Sequence, residues 1–78
     1  MNEAAVIAAI AAEVDVAPEA LRLDARFADD YGIDSLNFVR LVMAVEEAAG
    51  VKVDDKQAAE ARTVGALRDL ARRAPAKA

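Results

Sequence analysis

Residues 32–50 read GIDSLNFVRLVMAVEEAAG, a stretch bounded by two glycines. Asp34 and Ser35 are residue types that accept hydrogen bonds from free N–H groups at a helix start, and Gly50 stands where a left-handed residue commonly closes a helix. A helix over 35–49 follows. On a wheel of about 100° per residue with Leu36 at zero, Phe38, Leu41, Val42, Val45, Ala48 and Ala49 fall between roughly 120° and 240°. That stripe is broad enough to face a core. Leu36, Val39 and Met43 fall between roughly 300° and 0° on the other side, with Arg40 and Glu47 alongside. A domain of this size buries only about 60% of the surface its unfolded chain exposes, so both stripes cannot easily be interior. The second is either open to a partner, for which Met suits adaptable contact, or covered by the loop containing Phe27 and Tyr31.

Working outward, Val6, Ile7, Ile10 and Val14 recur at helical spacing among alanines, which predicts a first helix over Asn2–Val14. The following DVAPEALRLDARFADDYG, residues 15–32, contains Pro18 and Gly32 and reads as a long loop with a short turn at PEAL. Its Val16, Leu21, Leu23 and Phe27 are expected to pin it to the core. Loops this long inside compact domains are uncommon and often functional. VDDKQAAEA, residues 53–61, offers a short third helix with Asp54 and Gln57 at capping-box spacing. Thr63 caps a fourth, whose Val64, Leu67, Leu70 and Ala71 share one face before Pro75 ends it. Residues 74–78 are expected to fray. The predicted fold is all-α: three longer helices and one short one, with a long loop between the first and second, in a single domain over 1–78.

The chain has 78 residues, 56% hydrophobic but 4% aromatic, with no Cys and no His. Without Cys there is neither a disulfide framework nor a thiolate zinc site. No apolar run reaches the roughly 20 residues that span a bilayer, and the first residues lack a basic signal-peptide region. A soluble, cytoplasmic monomer is expected. The formal charge of −4 is unevenly placed: residues 1–61 hold five basic and thirteen acidic side chains, and residues 62–78 hold five basic and one acidic. The acidic body argues against nucleic acid and for partners with basic surfaces. Arg68, Arg72, Arg73 and Lys77 could form a weak anion patch, or remain solvated and complement a helix C-terminus.

Is Ser35 only a cap? A serine hydroxyl is a poor nucleophile without an adjacent base, and no lysine is spaced to supply one. No catalytic residue is therefore assigned. The acidic pairs at 29–30, 46–47 and 54–55 do not follow the alternating ligand pattern of a calcium loop, and no metal site is assigned. A hydroxyl that cannot act can be acted upon. A phosphate-linked group placed on Ser35 by another enzyme would sit at a helix N-terminus, where free N–H groups and the helix dipole favour negative charge.

These residues resemble the acyl carrier proteins. The likeness runs from VIAAIAAEVDV through LRLDARFADDYGIDSLNFVRLVMAVEEAAGVKVDD to ARTVGALRDLA, and G-I-D-S-L followed by V-x-L-V-M-A-V-E-E is its most specific part. The resemblance implies a four-helix bundle that is a carrier and not an enzyme. It implies 4′-phosphopantetheine, from coenzyme A, attached to Ser35 in the setting of Asp34 and Leu36. It also implies acyl groups carried as thioesters on that arm. Its implied partners are a phosphopantetheinyl transferase and enzymes such as a ketosynthase or acyltransferase, which would meet Leu36, Asn37, Val39, Arg40, Met43, Glu46 and Glu47 on the second helix. Family members commonly have acidic residues two and five positions after the modified Ser, where this chain has Asn37 and Arg40. Arg40 either weakens docking to enzymes built for an acidic surface, pointing to a polyketide or other specialised acyl pathway, or pairs locally and changes little. A carrier for fatty acid synthesis, an aminoacyl or peptidyl carrier, and an unmodified helical interaction module are the alternatives.

Overall fold

In a computed structural model, which describes residues 1–77, the chain folds into helices α1 (Glu3–Val14), α2 (Phe27–Tyr31), α3 (Ser35–Ala49), α4 (Asp55–Glu60) and α5 (Val64–Arg73), with a 3-10 turn over Pro18–Ala20. The described residues form no strand, only the isolated antiparallel bridges Arg26 with Thr63 and Val51 with Ala76. The all-α reading holds.

Each longer helix starts on a side-chain cap. Asn2, Asp34 and Thr63 accept hydrogen bonds from the N–H groups of Ala5, Asn37 and Ala66, at 3.1, 2.8 and 3.2 Å. In α4, Asp54 accepts from the Gln57 N–H at 3.0 Å. Gly50, at φ 65°, closes α3 in the left-handed region, and its N–H and that of Val51 both return to the Glu46 carbonyl. Asp15 closes α1 at φ 62°, a conformation that its short polar side chain tolerates better than most.

The core is built from Val6 and Ile10 of α1, Leu41 and Val45 of α3, Val64 and Leu67 of α5, and Val53 of the connecting segment, all below 2% exposure. The predicted core stripe of α3 and the face of α5 are the ones buried. Phe27 and Phe38 pack with ring centroids 5.7 Å apart at 58°, an inclined arrangement that suits the ring quadrupoles.

The long loop is more structured than the sequence suggests. Residues 27–31 form α2, raising the four predicted helices to five. Burial of Phe27 and the left-handed Gly32 define it, and the Asp30 carboxylate accepts from the Arg26 N–H at 2.7 Å. Val16, Leu21 and Phe27 do pin the segment, but the Leu23 side chain stays half exposed. Leu23 contributes through its backbone instead. Its carbonyl accepts from Gly65 at 2.8 Å, that of Ala25 accepts from Val64 at 3.1 Å, and the Phe27 N–H donates to Arg62 at 3.0 Å. A Cβ at Gly65 would come within 3.1 Å of the Leu23 oxygen, so the close crossing favours glycine there.

The C-terminus also differs from the expectation of fraying over 74–78. Pro75 accepts from the Lys52 N–H at 2.9 Å, and the Lys77 N–H donates to Gly50 at 3.0 Å. Ala78 lies outside the described residues. The basic residues near this end are mostly spent on ion pairs: Arg68 and Arg72 with Asp69, Arg72 with Glu3, and Lys77 with Glu47. The Glu3 hydrogen bond, then its charge, raises the Arg72 guanidinium above its ordinary pKa.

Candidate functional site

Asp34, not Ser35, caps α3. Its carboxylate takes the Asn37 N–H and its carbonyl takes that of Phe38 at 2.8 Å. Ser35 is thereby left as the first helical residue, exposed and free of the capping role. The N–H groups of Ser35 and Leu36 lie in the first turn, where a helix offers no internal acceptor.

A groove of about 380 Å³ opens beside Ser35, between α2, the start of α3 and the end of α4. Ala28, Ile33, Phe38 and Ala59 give it apolar walls, while Arg26, Asp29 and Arg62 contribute the charge. These residues come from three helices separated along the chain, so no local pattern could have gathered them. A slightly larger groove of about 410 Å³, against Lys52, Leu70, Arg73 and Pro75, includes no residue of α3 and offers no hydroxyl. Among the described residues, no group of three or more potential metal-ligating side chains stands together. Nor, among the described residues, is any helix long and apolar enough to cross a membrane.

The second apolar stripe of α3 is open. Leu36, Val39 and Met43 are 72%, 55% and 61% exposed. The loop that could have covered them turns elsewhere: Phe27 is in the core, and the Tyr31 hydroxyl accepts from the Arg22 N–H at 3.4 Å. Asn37, Arg40 and Glu47 are exposed on the same helix. Glu46 is a correction. Expected on the docking face, it is only 8% exposed, and its Oε2 accepts from the buried Val53 N–H at 2.8 Å with Lys52 Nζ 3.7 Å away. No local pattern signals this burial: Val51 and Val53 enter the core, and the Val53 N–H meets Glu46 only once segment 51–53 packs beside α3.

The family profile described as a phosphopantetheine attachment site matches residues 4–71. An acyl carrier protein of Thermosynechococcus vestitus is 37% identical over 74 residues, covering 90% of this chain and 91% of that protein. The chain belongs to the acyl carrier protein family. A Sulfurovum acyl carrier protein is 42% identical over 53 residues, 68% of this chain and 71% of the relative. One from Campylobacter hominis is 44% identical over 46 residues, and the match spans 59% of this chain and 58% of that relative. The family is one of carriers rather than catalysts, and its members bear covalently attached 4′-phosphopantetheine. The residues here fit such a group: an exposed hydroxyl on the first turn of a 15-residue helix, two helix N–H groups beside it, and an apolar-walled groove that begins at the same residue.

Proposed function

We propose that this acyl carrier protein tethers its cargo through Ser35 and takes no chemical step itself. The observation that carries the reading is the division of labour between neighbours. Asp34 satisfies the helix start, so the Ser35 hydroxyl remains exposed for a phosphopantetheinyl transferase. When bound, the arm supplies a terminal thiol that carries acyl groups as thioesters, a reactive sulfur that this Cys-free chain lacks. The Ser35 and Leu36 N–H groups and the positive end of the α3 dipole stabilise the phosphodiester charge. Asp34 holds that turn in place, and Leu36, Val39 and Met43 give visiting enzymes an apolar surface close to the tether.

The pathway we favour is polyketide or other specialised acyl assembly. Supporting it, α3 offers Asn37 and Arg40 where acidic residues are common in the family, and burial of Glu46 leaves it a single exposed carboxylate, Glu47. Incubation with coenzyme A and a phosphopantetheinyl transferase, followed by intact mass measurement, tests the central claim. The wild-type chain is expected to gain one arm and Ser35→Ala none. A gain that survives Ser35→Ala would place the attachment elsewhere, and no gain by a folded wild-type chain would leave an unmodified interaction module as the better reading.

A further inference from the structure

We propose that Arg62 holds the phosphodiester of the arm attached to Ser35 and so sets the base of the arm on the groove side of that residue. The inference rests on the carrier reading and adds a residue, from a distant part of the chain, that acts on the attached group.

Arg62, in the connection between α4 and α5, lines the same groove of about 380 Å³ as Ser35. Backbone contacts bring it there. The Arg62 carbonyl accepts from the Phe27 N–H at 3.0 Å, Arg26 forms an antiparallel bridge with Thr63, and Phe27 is itself buried in the core. The chain at Arg62 is thereby fixed at the rim of the groove, while the residue stays exposed. The other charged residues of the groove are already engaged. Asp29 stands 3.3 Å from Arg26, and the Asp34 carboxylate accepts from the Asn37 N–H at 2.8 Å. Arg62 forms no ion pair and no side-chain hydrogen bond among the described residues. A guanidinium with five donors therefore stands open where the groove meets the modified hydroxyl. Arm addition brings a permanent negative charge to Ser35, directly after Asp34 in the chain and in the groove that Asp29 also lines. Like charges at such range repel unless a cation offsets them. The Ser35 and Leu36 N–H groups offset part of that charge. Arg62 supplies the rest, since its planar fork matches two phosphate oxygens at once.

The test compares the chain before and after arm addition, with intact mass verifying that each sample carries the arm. The phosphodiester is the only formal charge of the unloaded arm at neutral pH, so any electrostatic response of Arg62 reports on that group. The Arg62 Nε–H resonance in nitrogen-15 NMR is expected to move when the arm is added at low ionic strength, and to move back towards its starting position in about 0.5 M salt. Thermal unfolding gives a second readout. The arm should raise Tm by about 1–4 °C more in wild type than in Arg62→Gln, with Arg62→Lys between them, as expected for an exposed charge pair in so small a domain. A purely structural role for Arg62 would lower both forms equally and leave that difference at zero. Should Arg62→Gln fail to fold, the wild-type resonance and Arg62→Lys decide the matter. An Arg62 resonance unmoved by the arm, or an equal Tm gain in wild type and Arg62→Gln, overturns the proposal and leaves the carrier reading intact. So does a resonance that moves only once a succinyl group is loaded, which would assign Arg62 to a carboxylate on the cargo. A folded wild-type chain that takes no arm removes both.

Discussion

Glu46 shows how one side chain decides which surface a helix can offer. At about 280° on the wheel it borders the core stripe, and angle alone leaves its environment open. What buries it is the segment 51–53, which crosses that side of α3 and presents the Val53 N–H to its carboxylate at 2.8 Å. A wheel sees one helix and not the chain that returns across it, so this burial was not legible, whereas the start of α3 at Asp34 and Ser35 was. Glu46→Ala strands a buried donor, and a loss of about 1–3 kcal/mol is expected for such a group. Glu46→Gln keeps an acceptor and should lose less. Urea unfolding measures both, and a Glu46→Ala midpoint equal to wild type would show that water reaches the Val53 N–H.

At the scale of elements, what could be read was what is written locally. The start, end and two faces of α3 follow from Asp34, Gly50 and the apolar spacing between them, all within a few residues of one another. α2 carries no comparable signal, because five residues are too few to display a helical period. It forms where Phe27 is drawn into the core and Gly32 turns the chain. The groove beside Ser35 is illegible for a related reason, since Phe38, Ala59 and Arg62 meet only after packing. The Asp34 cap links stability to function at this scale. Asp34→Ala should cost about 0.5–2 kcal/mol, and Asp34→Asn should restore most of it. Thermal unfolding reads the difference. Slower arm addition to Asp34→Ala, with the helix otherwise formed, would further show that the cap presents the Ser35 turn and does more than stabilise it.

For the whole molecule, the question is how so short a chain holds one shape. Its radius of gyration of 11.1 Å is close to the roughly 11.5 Å expected for a folded chain of this length, yet the core is made largely of Val, Leu and Ala with few aromatic rings. Short backbone clasps between distant segments supplement that core. One joins residues 23–27 to 62–65. The other returns Pro75 and Lys77 to Lys52 and Gly50, with Lys77 reaching Glu47. Proline appears to the sequence reader only as a helix stop, but its carbonyl remains a full acceptor, and here it closes the second clasp. Removing residues 75–78 deletes two backbone hydrogen bonds, each contributing about 0.5–1.5 kcal/mol net, for an expected loss of about 1–3 kcal/mol. In a domain this small each kcal/mol shifts Tm by about 4–8 °C, so the change is measurable. The more specific readout is amide hydrogen exchange. The Lys52 N–H, donated to Pro75 in the full chain, should exchange much faster in the shortened one, while amides in the middle of α3 change only as far as global stability does. Unchanged Lys52 exchange would mean that the terminal segment rests on the domain without stabilising it.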